Sequence, residues 1–151
     1  MRMLRHLAVL SVAVGLTVAA CDDDDPVEPE AEVYTATLTG ANETPPVTTT
    51  ATGTGTFTVT GNNINYVITI ANWPAGRTVT AAHIHNRPIR PDTAAGVLLG
   101  WPGGSITVTG GSGTIAATDA QLTAIRAGGT YFNVHSSVNA GGEIRGNLVA
   151  Q

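Results

Sequence analysis

The stretch Thr52–Ile70, TGTGTFTVTGNNINYVITI, decides the fold class of this chain. Side chains along a β-strand alternate between its two faces, so residues i and i+2 share a face. In the first half Phe57 and Val59 fall on one face and a row of threonines on the other. In the second half Ile64, Tyr66, Ile68 and Ile70 share a face, and Gly61-Asn62-Asn63 forms a short turn between the halves. A two-residue period on both sides of a tight turn predicts an antiparallel hairpin with one buried side.

Outward from this hairpin the same pattern recurs. Val33–Thr39 alternates, with Tyr34, Ala36 and Leu38 on one face, and predicts a half-buried strand. It runs into Gly40-Ala41-Asn42-Glu43-Thr44-Pro45-Pro46, where paired prolines forbid a central strand and predict a rigid loop that presents Glu43. On the other side Trp73-Pro74-Ala75-Gly76 breaks the pattern, and a further strand is predicted at Thr78–His85. Asn86–Ala95, with two prolines, Arg87 and Arg90, is a long loop. Short strands are predicted at Gly96–Gly100, Ser105–Thr109 and Gly113–Ala116, and the last two at Tyr131–His135 and Glu143–Val149. Thr118-Asp119-Ala120-Gln121 matches a helix capping box, Leu122 and Ile125 give one apolar stripe, and Gly128 ends the helix. The expectation is an all-β, Greek-key-like antiparallel sandwich or flattened barrel of eight or nine short strands, with one short helix near 118–127.

A chain of 151 residues suits one domain with a real core. Charge is unevenly placed along it. Asp22–Glu32 holds seven acids and no base, whereas the chain from Val33 onward holds four acids and five arginines. With no lysine and no basic stripe, the domain lacks the electrostatic footprint of a nucleic-acid binder.

Residues 1–20 predict an export signal: Arg2 and Arg5 precede an apolar run from Leu7 to Val18, with small residues after it. That run of about 12 residues is short of the ~20 a spanning helix needs. Val18-Ala19-Ala20-Cys21 resembles the lipobox of bacterial lipoproteins, in which the signal is cut before a cysteine that carries lipid. Cys21 is the only cysteine, so no disulfide within the chain is possible and lipidation accounts for it. Residues 21–32 are an acidic, proline-containing tether, and residues 33–151 the folded domain. The expected location is the bacterial cell envelope, on its periplasmic or surface face, with the membrane as partner through lipid on Cys21.

The chemistry gathers in two places. His83, His85 and His135 are all the histidines outside the signal, and they lie in Ala82-His83-Ile84-His85 and in the segment 131–146, YFNVHSSVNAGGEIRG. Alternation puts His83 and His85 opposite Ile84, and puts Tyr131, Asn133 and His135 opposite Phe132 and Val134. Glu143 and Arg145 fall opposite Ile144. With the apolar sides inward, His83, His85, His135, Glu143 and Arg145 are expected on the outward surface as a candidate polar site, with Glu43 and Asn42 beside them. Two readings are open. The three imidazoles suit a zinc or copper ion, or they hydrogen-bond to Glu143, Asn133 or backbone carbonyls while Glu143 and Arg145 form an ion pair. Ser136 and Ser137 follow His135 without a nucleophile elbow, so no catalytic residues are assigned.

The same residues carry a family likeness. Thr39–Pro46 (TGANETPP), Ala81–His85 (AAHIH), Tyr131–His135 (YFNVH) and Gly141–Gly146 (GGEIRG) resemble, in order, the blocks of the CHRD (chordin) domain. The resemblance implies a β-sandwich extracellular module, found in the animal developmental regulator chordin and in bacterial secreted proteins and lipoproteins. A second resemblance, to copper/zinc superoxide dismutase, rests on His83-Ile84-His85, Asn139-Ala140-Gly141 and Arg145. That enzyme uses more histidines and a structural disulfide, so the likeness implies a shared Greek-key sandwich rather than dismutase activity. The expected function is a lipid-anchored, non-enzymatic binding or structural module for a protein or small-molecule ligand. The alternative is a copper- or zinc-binding or redox protein using His83, His85 and His135.

Overall fold

The computed structural model describes residues 30–86 and 95–151. The signal, Cys21, most of the tether, and Arg87 and Arg90 lie outside the described residues. Among these residues nine strands form one antiparallel sheet: β1 (Glu32–Thr39), β2 (Thr52–Thr60), β3 (Asn63–Ala71), β4 (Val79–His85), β5 (Val97–Gly100), β6 (Gly110–Ala116), β7 (Tyr131–Ser136), β8 (Ile144–Asn147) and β9 (Val149–Ala150). Among the described residues a single α-helix, α1 (Asp119–Arg126), lies between β6 and β7. The strand order is β5-β4-β7-β8-β1-β2-β3-β6, with β9 also paired to β1.

The hairpin that fixes the fold class is present as β2 and β3, paired in unbroken register from Thr52↔Ala71 to Thr60↔Asn63. Its buried face is the expected one: Phe57, Val59, Ile64, Tyr66, Ile68 and Ile70 are all in the core. The sheet curls onto itself. Phe57 on β2 packs against Phe132 on β7 with ring centroids 5.3 Å apart, although β8 and β1 separate those strands in the sheet. Trp101, just past β5, reaches Tyr66 on β3 at 5.4 Å, so the two ends of the sheet meet across the core. This is the curled, barrel-like all-β architecture expected.

The helix follows its sequence closely. Thr118 accepts from the Gln121 backbone while the Gln121 side chain accepts from the Thr118 backbone. Leu122 and Ile125 are buried, and Gly128 leaves the helix with a positive φ of 80°. The Gln121 amide donates to the Leu98 carbonyl at 2.7 Å and fastens the helix to β5.

Two local expectations fail. Ser105–Thr109 is not a strand; it is a turn held by the isolated bridge Thr107↔Gly110, and the strand that follows starts at Gly110. Of the two apolar residues there, Ile106 is buried and Val108 is exposed, so the alternation does not mark a strand packed on the core. The Gly40–Pro46 loop does not present Glu43. A 3-10 turn at Gly40–Asn42 folds the chain back, and Glu43 is buried. At the N-terminal boundary, Glu32 belongs to β1 and is held by Arg126 at 2.6 Å.

Candidate functional site

The site is built on β4 and β7, which are neighbours in the sheet. Their register sets Ala81 opposite His135, His83 opposite Asn133 and His85 opposite Tyr131. His83 and His85 therefore share a face with His135, which lies diagonally across from His83. The β4 register shifts on both sides: against β7 between Val79 and Ala81, and against β5 between Ile84 and His85.

The three imidazoles converge. His83 Nδ1 lies 2.9 Å from His135 Nε2. One ring nitrogen from each histidine lies within 4.8 Å of the other two. His135 Nδ1 donates to the Ala140 carbonyl at 2.9 Å, which leaves its Nε2 as the lone-pair nitrogen in the neutral ring. His85 Nδ1 donates to the Ala95 carbonyl at 2.9 Å, and its Nε2 lies 3.0 Å from the Asn133 side-chain oxygen. Burial, reinforced by the neighbouring imidazoles, holds the His83 pKa below the usual histidine range. Burial also lowers that of His135, against the opposing hydrogen bond to Ala140.

The rest of the polar face separates into parts that do different things. Arg145 on β8 stacks its guanidinium 3.4 Å over the Tyr131 ring, whose plane also stacks on His85 with centroids 4.8 Å apart. Glu43 is turned beneath Gly142, where a Cβ would collide with its carboxyl group. Burial pushes the Glu43 carboxyl up to about 7, despite the opposing charge of Arg145. Asn42 donates to the Arg145 carbonyl at 3.1 Å and ties the loop to β8. Beside these residues a groove of about 290 Å³ runs between Glu43–Val47 and Val138–Gly142.

Glu143 belongs elsewhere. Its carboxylate accepts from Thr49, Ser136 and Asn139 and pairs with Arg77 at 2.6 Å. Burial disfavours the charged carboxylate, yet these hydrogen bonds and the Arg77 charge outweigh it and hold the pKa below the usual range. Its ion-pair partner is thus Arg77 and not Arg145. Ser136 is fully engaged with Glu143 rather than with His135, which removes the structural basis for a serine nucleophile there.

The polar side chains are therefore not outward, as alternation suggested. His85, His135, Glu143, Arg145 and Glu43 are all buried, and His83 is half-buried. Polar-opposite-apolar patterning assumes that one face of the sheet meets water. Here the second face is closed by the segments that supply Glu43, Thr49, Ala95 and Ala140. Asn133, named from the sequence as a partner for the histidines, bonds to His85, and Tyr131, which alternation placed on the face of His135, completes the site.

The CHRD domain profile matches residues 34–148, a span that runs from within β1 to the residue before β9 and takes in His83, His85 and His135. No curated protein and no solved structure matches the chain. The family match covers most of the sequence, and the chain belongs to the CHRD domain family.

Proposed function

We propose that this protein is a non-enzymatic binding module of the bacterial cell envelope, held at a membrane by lipid on Cys21, with the His83–His85–His135 face as its binding site. The observation that supports the binding site is the convergence of three imidazoles, two of them oriented by backbone carbonyls. A purely structural histidine needs one satisfied partner; three rings gathered at one point are an arrangement suited to holding something. The anchoring rests on the basic, apolar and small-residue order ahead of the single cysteine and on the acidic tether behind it.

Fractionation of cells that express the full chain tests the anchoring. Wild-type protein should sediment with membranes and be released only by detergent, whereas Cys21→Ser should lose the lipid and leave the membrane fraction. Wild-type protein that is freely soluble without detergent, or Cys21→Ser protein that still sediments, defeats the reading.

A further inference from the structure

We infer that His83, His85 and His135 together bind one divalent transition-metal ion, Cu²⁺ or Zn²⁺; the inference rests on the reading of this face as the binding site and names its ligand. Three features of the structure carry it. The first is placement: two histidines at i and i+2 on β4 and one diagonal to them on β7 aim three rings at one region, and β4 shifts register against β5 at His85. Gly100, opposite His83, leaves room for that ring, since a Cβ there would stand 3.2 Å from His83 Cδ2.

The second is spacing. Ligands about 2.0–2.1 Å from a single ion lie roughly 3–4 Å from one another, depending on geometry. His83 Nδ1 and His135 Nε2, at 2.9 Å, are already at the short end of that range. With all three nitrogens within 4.8 Å, closure around an ion takes a ring movement of about 1 Å. The hydrogen bond between His83 and His135 joins two rings, and the bond from His85 Nδ1 to the Ala95 carbonyl holds the third at the same position.

The third is the outer shell. Metal-bound imidazoles are held by a hydrogen bond from the other ring nitrogen, often to a backbone carbonyl. His135 and His85 each have this bond, to Ala140 and Ala95. Uptake at His85 Nε2 displaces the Asn133 oxygen and leaves the Ala95 bond intact. The donor set is three imidazoles, with neither thiolate nor thioether, which suits Cu²⁺ and Zn²⁺ and disfavours Cu⁺. The half-buried His83 is the side from which an ion and a solvent ligand enter.

The test uses the full-length chain in detergent, stripped with EDTA, desalted and titrated separately with Cu²⁺ and Zn²⁺. The expected result is one ion per chain after a second desalting, and a Cu²⁺ electron paramagnetic resonance spectrum with coupling to imidazole nitrogens. His83→Ala and His135→Asn should each weaken binding by about 100-fold or more, the effect of losing one of three ligands. Because His135 is buried, circular dichroism of each variant accompanies the titration, and the half-buried His83 serves as the variant that spares the core. Ion content well below one per chain overturns the site. So does binding that survives unchanged in both variants, which assigns the ion to the acidic residues 22–32. Loss of metal binding with Cys21-dependent anchoring intact removes this inference alone, whereas one ion per chain in a protein that is not anchored removes only the anchoring.

Discussion

Glu43 carries its carboxyl group into a place where the fold gives it little solvation. It is buried, one of its oxygens has no hydrogen-bond partner among the described residues, and burial raises its pKa to about 7 from an ordinary 4.5. The folded state therefore keeps a proton that the unfolded chain has already lost between pH 4.5 and about 7. Stability from this residue is full below 4.5, falls as pH rises through that window and levels off above it, a total of about 3 kcal/mol. His83 and His135 act with the opposite sign. Their lowered pKa values favour the neutral rings in the fold, so their contribution is full above the ordinary histidine pKa and is lost as pH falls. The Glu43 effect is thus read as a difference. Urea melts of wild type and Glu43→Gln from pH 4.5 to 8.5 should diverge up to about pH 7 and then run parallel, with the variant the more stable by up to ~3 kcal/mol at the alkaline end. Profiles parallel throughout would show that Glu43 is solvated and ionised in the fold.

Glu143 shows how one side chain can join several elements. Thr49 precedes β2, Arg77 precedes β4, Ser136 ends β7 and Asn139 lies in the turn before β8; all four bind the same carboxylate. Glu143 itself is fully buried, while Arg77 keeps partial exposure. Removal of the carboxylate leaves buried donors and a charge without a partner, which typically costs ~3–5 kcal/mol. Glu143→Ala should lose stability on that scale in denaturant melts, while Arg77→Ala, which leaves the carboxylate its hydrogen bonds from Thr49, Ser136 and Asn139, should lose clearly less. Equal losses from the two changes would mean that the ion pair alone, and not the network, holds these elements together. Histidine chemistry is separate from this network, which explains why the short GGEIRG block serves two purposes: Glu143 closes the loops, and Arg145 stacks on Tyr131 beside His85.

At the scale of the whole molecule, the fold rests on an apolar core that owes nothing to the histidine face. Phe57, Phe132, Leu38, Ile64, Ile84 and Ile144 are fully buried, and the aromatic contacts of Trp101 bridge the ends of the sheet. The protein should stay folded in EDTA, with a cooperative melt little changed from that of untreated protein, and added metal should raise the melting temperature by mass action. Unfolding on chelation alone would make the metal a structural element instead. The sequence by itself determined the β class, the apolar core face of the strands it located and the capped helix, because strand alternation and helix capping are local properties of consecutive residues. It also placed the three histidines on a common kind of face. The tertiary structure alone decided that β4 and β7 adjoin and that their register brings the rings together, since neighbours in a sheet are set by chain crossovers and not by period. It decided, too, that the polar face is covered, because the loops carrying Glu43, Thr49, Ala95 and Ala140 bond to that face, and such long-range bonds leave no periodic trace in the residues that make them.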